Sequence, residues 1–323
     1  MATVQRPRRE VLAFYYRGRA NPQFSRAYKR WQGLNKEAPK EDPVPHLPLL
    51  GMYDSLDPAV ITQHAAWLKQ GGFTGAIHGA WYRELWEDRG GGPIWLQAMH
   101  DHGLKVSFYL EGQKGGVEGA KNDFRYMFQQ AMTHPAWLRV DGRPVIFLYR
   151  KALRELPADG WREAARAMVA EGHPEPLLLA DVEPADPQFD AKAGMLNGTH
   201  IWHFAEHIAG KSPAEITAFT DEAYPRWLAN APKRIRCAMV MPGYDDRLIE
   251  NRPYPRPTTD RFGTGTLGAL WSAAIRHDVD FVIVNSFNAA HNGNEMEPSV
   301  DWGTSAIDAN AIFARRFLSG SRV

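Results

Sequence analysis

Short apolar runs alternate with amphipathic helical segments along almost the whole chain, and that rhythm restricts the fold more than any other feature. Strand-like runs are read at "VLAFYY", "FTGAIHGAW", "KVSFYLEG", "RPVIFLY", "PLLLADVE", "THIWHFA", "RCAMVMPG" and "FVIVNSFN". They are continuous rather than strictly alternating, as expected of parallel strands covered on both faces. The helices between them have legible ends. In "LDPAVITQHAAWLKQGG", Asp57 reads as the N-cap, Pro58 as the first helical residue and Gly71-Gly72 as the stop. "TGTLGALWSAAIRHD" and "GTSAIDANAIFARRFLSG" are similar periodic segments. Strand followed by helix, repeated about eight times, predicts an α/β chain folded as a (β/α)8 TIM barrel. A barrel of this kind commonly takes up a chain of 323 residues, so residues 1–323 are read as a single domain.

Two insertions break the rhythm. One runs from Gly18 to about Leu56 after the first strand; the other is "DDRLIENRPYPRPTTDRFGTG" after the seventh. Both follow strands, so both should lie on the C-terminal face, where barrel enzymes place their active sites.

Charge and cysteine content narrow the function. With 38 basic and 37 acidic residues the formal net charge is +1, which lacks the basic excess of a nucleic-acid binder. Cys237 is the one cysteine, and its apolar setting reads as a small buried hydrophobe rather than a nucleophile. The basic N-terminus loses its apolar run at Arg17, too early for a signal peptide, and nothing approaches a membrane span. A cytoplasmic protein without nucleic-acid or membrane partners is the expectation. Aromatics beside polar residues at strand ends suggest flat faces for sugars.

If the strands hold, polar residues at their ends face one basin. These are Tyr15, Tyr16 and Arg17, His78 and Trp81, Glu111, Tyr149, Asp181 and Glu183, His203, Tyr244 with Asp245 and Asp246, and Asn285, Asn288 and His291. A buried ionisable group costs several kcal/mol unless paired or functional, which makes the carboxylates candidates by position. Glu111 stands out because it closes a clean apolar strand.

"FYYRGRANPQFSRAYKRW", "LGMYDSLDPAVITQHAAWLKQGGF", "LKVSFYLEG", "VDGRPVIFLY", "MPGYDDR" and "SFNAAHNGNEMEP" follow one another in the order seen in glycoside hydrolase family 99. The resemblance runs from about Phe14 to Pro298 and implies a (β/α)8 barrel of retaining-glycosidase ancestry, akin to endo-α-mannosidases and endo-α-mannanases. It also exposes departures. The family's last motif resembles SFNEWHEGTQIEP, whose two glutamates are assigned to catalysis. Aligned without a gap, this chain carries Ala289 and Asn292 there, and Ala290 in place of the tryptophan. Glycoside hydrolysis needs one group to protonate the leaving oxygen and another to act as nucleophile or base, and alanine does neither. The family mechanism is therefore not expected to run unchanged.

The first motif shifts the same way. Arg17 and Arg19 stand where the family resembles FYYPWYGNP, with Arg26, Lys29 and Arg30 nearby. Guanidinium groups pair bidentately with carboxylate, sulfate or phosphate, so an anionic glycan is expected. Glu111 matches a family position in the substrate pocket, Glu295 replaces a family glutamine, and His291 is retained; these three are the candidates for proton transfer. Tyr16, Arg17, Arg19, Trp81, His203, Tyr244, Asp245, Asp246, Asn288 and Asn292 are the candidate substrate-binding residues. Glu295 can equally be read as a surface loop carboxylate, and the arginines as a solvated loop. No cofactor or metal is expected.

Two other readings stay open. One is a glycan binder that kept the groove and lost the catalytic machinery. The other is a metal-dependent hydrolase, because "HFAEH" (203–207) matches an H-x-x-E-H zinc order with His200 just ahead. Zinc would need His203 and His207 one helical turn apart. "THIWHFA" reads instead as a strand running into a loop, so the two rings should diverge.

Overall fold

A computed structural model describes residues 7–31, 43–80, 86–183, 185–228, 234–249 and 255–320, with the backbone alone for 86–91. Eight parallel strands close into a barrel: β1 Glu10–Tyr15, β2 Gly75–Ala80, β3 Lys105–Leu110, β4 Arg143–Leu148, β5 Leu177–Asp181, β6 Gly198–His200, β7 Ile235–Val240 and β8 Phe281–Val284. β1 pairs with both β2 (Leu12 opposite Gly75) and β8 (Leu12 opposite Ile283), and β3 closes onto β4 at Tyr109–Phe147. One helix of each repeat packs outside: α1 Pro58–Gln70, α2 Trp86–Asp101, α3 Gly116–Met127, α4 Ala158–Ala170, α5 Phe189–Met195, α6 Pro213–Leu228, α7 Gly265–Arg276 and α8 Ser305–Leu318. The expected (β/α)8 class is the observed one.

The continuous apolar runs are explained by two buried layers. Leu12, Phe14, Ile77, Tyr109, Phe147, Leu179, Cys237 and Ile283 fill the barrel interior. Their neighbours of opposite parity, such as Val11, Ala13, Ala76, Val106, Ile146 and Val282, pack beneath the helices. A strand alternates its side chains between faces, so burying both faces removes the polar alternation from the sequence. Each fully buried aliphatic or Phe side chain contributes about 1.5–3 kcal/mol. Gly75 is dictated by the β2–β3 approach, since a Cβ there would stand 2.5 Å from the Lys105 carbonyl oxygen. Helix α1 starts as read, with the Asp57 carboxylate accepting the Ala59 N–H at 2.8 Å ahead of Pro58.

The sixth strand is shorter than its apolar run suggested. It ends at His200, and the chain passes through a loop into a single helical turn, Ala205–Ile208. The Asp181 carboxylate takes the Trp202 N–H at 3.2 Å, capturing the backbone just where the sheet would otherwise continue. No helix among the described residues is long and apolar enough to cross a membrane.

Both insertions lie over the C-terminal ends of the strands. The two arms of the first zip together, Arg19 N–H to Ser55 Oγ at 3.1 Å and Ser55 N–H to the Arg19 carbonyl at 2.8 Å. The Trp31 indole donates to the Tyr53 carbonyl at 2.8 Å. Its second arm then docks on the segment after β8, where Leu49 N–H meets the Pro298 carbonyl and Val300 N–H the Leu47 carbonyl.

Candidate active site

The inward parity of the strands, continued past their ends, lays the floor of the site. Leu12 and Phe14 lead to Tyr16; Tyr109 leads to Glu111; Val145 and Phe147 lead to Tyr149. Leu179 leads to Asp181, Gly198 and His200 lead to Trp202, and Ile283 leads to Asn285. Tyr16, Tyr149 and Trp202 cap the barrel interior, and the Trp202 indole donates to the Tyr16 hydroxyl at 3.1 Å. Glu111 and Tyr16 close together over Gly79. A Cβ there would lie 2.4 Å from Glu111 Oε1 and 2.7 Å from the Tyr16 ring. Burial, then the Glu111 carboxylate, hold the Tyr16 phenol well above its ordinary range, so it stays protonated.

Residues of the other parity point outward beneath the helices. His78 packs against Trp95 and Phe108, and burial together with Arg17 drives its pKa well below the usual histidine value. Arg17, 1% exposed, lies with its guanidinium 5.2 Å from the Trp95 ring centroid. Its place is therefore the layer between barrel and α2, beside His78, rather than an open rim.

The loop after β8 folds back on itself. Asn285 N–H bonds the Val240 carbonyl, Phe287 N–H the Phe14 carbonyl and Ser286 N–H the Asn294 carbonyl. Ser286 Oγ accepts the Ala289 N–H at 2.8 Å, and a short 3-10 turn covers Ala290–Asn292. Gly293 then adopts φ +59 against the Asp245 backbone, where a Cβ would stand 2.9 Å from both N and O; no side chain fits there. Asn288 binds the Tyr16 main chain at both ends, accepting its N–H and donating to its carbonyl, each at 2.8 Å. That amide is engaged in placing Tyr16. Asn292 is 3% exposed, and its Oδ1 has no hydrogen-bond partner among the described residues.

The three proton-transfer candidates stand in different surroundings. Glu111 is 7% exposed at the floor. His291 is half-buried at the turn, with Nδ1 3.5 Å from Arg19 Nη2. Glu295 is no surface carboxylate: it is 1% exposed and ion-paired with Arg261 of the second insertion, while His46 Nδ1 of the first insertion reaches its Oε1 at 2.9 Å. A carboxylate so clamped ties three segments together. Glu297 is likewise locked, accepting from His64 Nε2 at 2.9 Å and the Tyr53 hydroxyl at 3.1 Å. His64 Nδ1 takes the Tyr15 hydroxyl at 2.9 Å, which completes a chain from β1 to the loop.

The remaining candidates divide into a buried and an exposed group. Tyr244 donates to Asp246 Oδ2 at 2.8 Å, and Asp246, fully buried, is also ion-paired with Arg256. Asp245 turns outward to Arg247, whose hydrogen bonds hold its carboxyl below the usual range. His203 stacks on Tyr244 with centroids 5.0 Å apart and accepts the Ala205 N–H at 3.2 Å. His207 instead stacks on Phe219. The two rings of the H-x-x-E-H order thus diverge. Among the described residues no three His, Cys, Asp or Glu side chains converge to hold a metal. Trp81 lies outside the described residues.

Arg19 is a buried cation with an open donor edge among the described residues. It is 3% exposed, its guanidinium stacks 4.3 Å from the centroid of the Trp31 ring, and Nη1 has no hydrogen-bond partner among the described residues. Trp31, Tyr53, Val60 and Ala290 belong to one buried cluster, which joins the insertion to the loop after β8.

The model of glycosyl hydrolase family 99 matches residues 8–309. The chain belongs to that family. It is similar to the glycoprotein endo-alpha-1,2-mannosidase-like protein of Danio rerio, with 24% identity over 90% of this chain and 71% of the relative. The glycoprotein endo-alpha-1,2-mannosidase of Rattus norvegicus is also 24% identical, over 94% of this chain and 70% of the relative. Among solved structures, the GH99 endo-alpha-mannosidase of Bacteroides thetaiotaomicron superposes with a TM-score of 0.79 at 20% identity, covering 96% of this chain and 98% of that one. That likeness bears on the fold alone.

Residue-by-residue reading from the sequence missed several members of this candidate site. Trp202 falls inside the run "THIWHFA" read as a strand, although strict inward parity from Gly198 and His200 points to it. Arg261 and His46 carry no local signal, because their meaning lies in contacts with Glu295 from 34 and 249 residues away. Trp31 is hidden in an insertion without periodicity.

Proposed function

We propose that this family 99 protein acts on an anionic glycoside, with Arg19 receiving the negative group and Glu111 and His291 exchanging protons. The observation that carries the reading is Arg19 itself, a buried guanidinium beside His291 with a free donor edge among the described residues. A buried donor without a partner costs about 1–3 kcal/mol, more when charged, and a ligand oxyanion removes that cost. The Asn292 Oδ1 acceptor nearby in sequence suits a sugar hydroxyl. Glu111 lies within a shared aromatic and tyrosyl floor, the kind of platform a pyranose ring stacks on. Ala289 and Asn292 take the positions that the resemblance gives to the family glutamates, which supports a relocated acid–base pair over the inherited one.

Turnover by mass spectrometry on neutral, sulfated, phosphorylated and uronate-containing α-glycosides tests this. Cleavage of an anionic member is expected, with a loss of at least 100-fold in Glu111→Gln, in line with the weight of general acid–base catalysis. Arg19→Gln is expected to raise KM for the anionic substrate by about 10-fold or more, in keeping with one lost charged hydrogen bond. Equal turnover of neutral and anionic members, unchanged in Arg19→Gln, would refute the reading. A second reading, a glycan binder without turnover, draws on the locked state of Glu295 and Glu297, neither of which is placed to move a proton freely. Its signature is thermal stabilisation by one glycan class with no product.

A further inference from the structure

We propose that a pocket on the opposite, N-terminal face of the barrel binds a phosphate dianion, free or as a small phosphomonoester. The pocket lies between α4 and the starts of β4, β5 and β6, has a cavity volume of about 100 Å3, and is lined by Arg143, Arg162, Arg166, Glu175 and Asn197 among others.

Its charge is lopsided by construction. Arg162 and Arg166 are one turn apart on α4 and share a face, a spacing at which like charges repel. Arg143 comes from the opening of β4 and is already engaged, Nε to the Glu175 carbonyl at 2.8 Å and Nη2 3.3 Å from Glu175 Oε2. Three guanidinium groups against one carboxylate leave an excess of two positive charges in the lining. Among the described residues neither Arg162 nor Arg166 has an ion-pair partner. The acidic residues of α4 and its C-terminal end are turned elsewhere. Glu163 acts on Lys121 of α3, Asp159 accepts the Gly160 N–H at the helix start, and Glu171 is held bidentately by Arg125.

A tetrahedral dianion answers this arrangement in charge and in shape. Arg162 and Arg166 both line the pocket, and each guanidinium offers paired N–H donors that match phosphate oxygens. Asn197 spends its Oδ1 on the Leu178 N–H at 2.9 Å, so its amide nitrogen remains a donor in the lining. The pocket opens to solvent, so the alcohol portion of a monoester can extend out of it.

The test is thermal unfolding and calorimetric titration of the whole chain with inorganic phosphate and with glycerol phosphate, at fixed ionic strength against chloride and acetate. A saturable stabilisation is expected with both phosphates and not with the controls. It should weaken at least 10-fold in Arg162→Gln/Arg166→Gln and persist in Arg19→Gln, which separates this pocket from the proposed substrate site. Loss of the effect in Arg19→Gln instead would overturn the proposal, as would persistence in the double variant or stabilisation that never saturates. Arg166 is exposed, so Arg166→Gln alone keeps the test open if the double variant folds poorly.

Discussion

The barrel interior and the crown of loops above it are both buried, yet they are held by opposite means. Inside the barrel, Leu12, Phe14, Phe147, Leu179 and Ile283 fill space with no polar demands, and almost any apolar residue of similar volume serves. In the crown, Arg19, Arg261, Asp246, Glu295 and Glu297 are all less than 6% exposed, and each needs a specific partner. The contrast teaches where this chain tolerates change. A layer built on volume degrades by degrees, whereas a layer built on buried charge fails pair by pair, because removing one partner strands the other.

The largest expected effect follows directly. Arg261→Met leaves the Glu295 carboxylate buried with His46 as its remaining side-chain partner, and should cost about 3–5 kcal/mol in urea unfolding. Adding Glu295→Met should return much of that loss, since an apolar pair of similar volume replaces a buried ion pair at little cost. A conservative barrel change such as Ile283→Val should cost only about 0.5–1.5 kcal/mol and have no second-site rescue. If the double variant is as unstable as Arg261→Met, the pair is not what holds the crown.

The barrel interior also holds an imidazole, and it gives the next effect in size. His200 sits among Phe14, Tyr109 and Phe147, and burial pushes its pKa down to about 4. The unfolded chain takes up a proton below about pH 6.5, whereas the folded chain resists until about pH 4. Stability is therefore undiminished above pH 6.5 and falls as the pH drops, with His200 accounting for ~3 kcal/mol of loss by pH 4. His200→Leu should flatten that limb when urea midpoints are followed from pH 7 to pH 4.5. Parallel slopes in the two proteins would place the proton uptake elsewhere.

These two cases also mark how far the sequence could be read. The eight strands and the caps of α1 were legible because two-sided burial and helix ends leave local patterns, as at "KVSFYLEG" and Asp57-Pro58. The floor was legible in part: Tyr16 and Glu111 follow the inward parity, as does Trp202, whose place the apolar run around it hides. Arg17 and Arg19 read from the sequence as loop cations facing an anionic ligand, but the first lies under α2 and the second on Trp31. A sequence shows that a cation stands in a loop, not whether the insertion folds over it. Glu295 shows the same limit, since its partners come from two insertions with no periodicity to place them.

The effect that joins the two regions concerns the buried chain Tyr15–His64–Glu297–Tyr53. Tyr15 is the last residue of β1, yet its hydroxyl bonds His64 of α1, whose other nitrogen holds Glu297 of the loop. Tyr53 then ties Glu297 to the first insertion at 3.1 Å and approaches Asn288, the residue that fixes the Tyr16 backbone. Tyr53→Phe removes a hydrogen bond to a buried carboxylate without opening a cavity, and should cost about 1.5–3 kcal/mol. If the barrel and crown are separate units, its effect should add to that of Tyr15→Phe within about 0.5 kcal/mol. The shared carboxylate and imidazole predict otherwise: the double variant should lose measurably less than the two singles combined, because once one end of the network is cut the other is already loosened. A strictly additive cycle would show the crown to be a lid resting on the barrel, whereas a coupled one makes the position of Tyr16, and with it the floor of the site, depend on both.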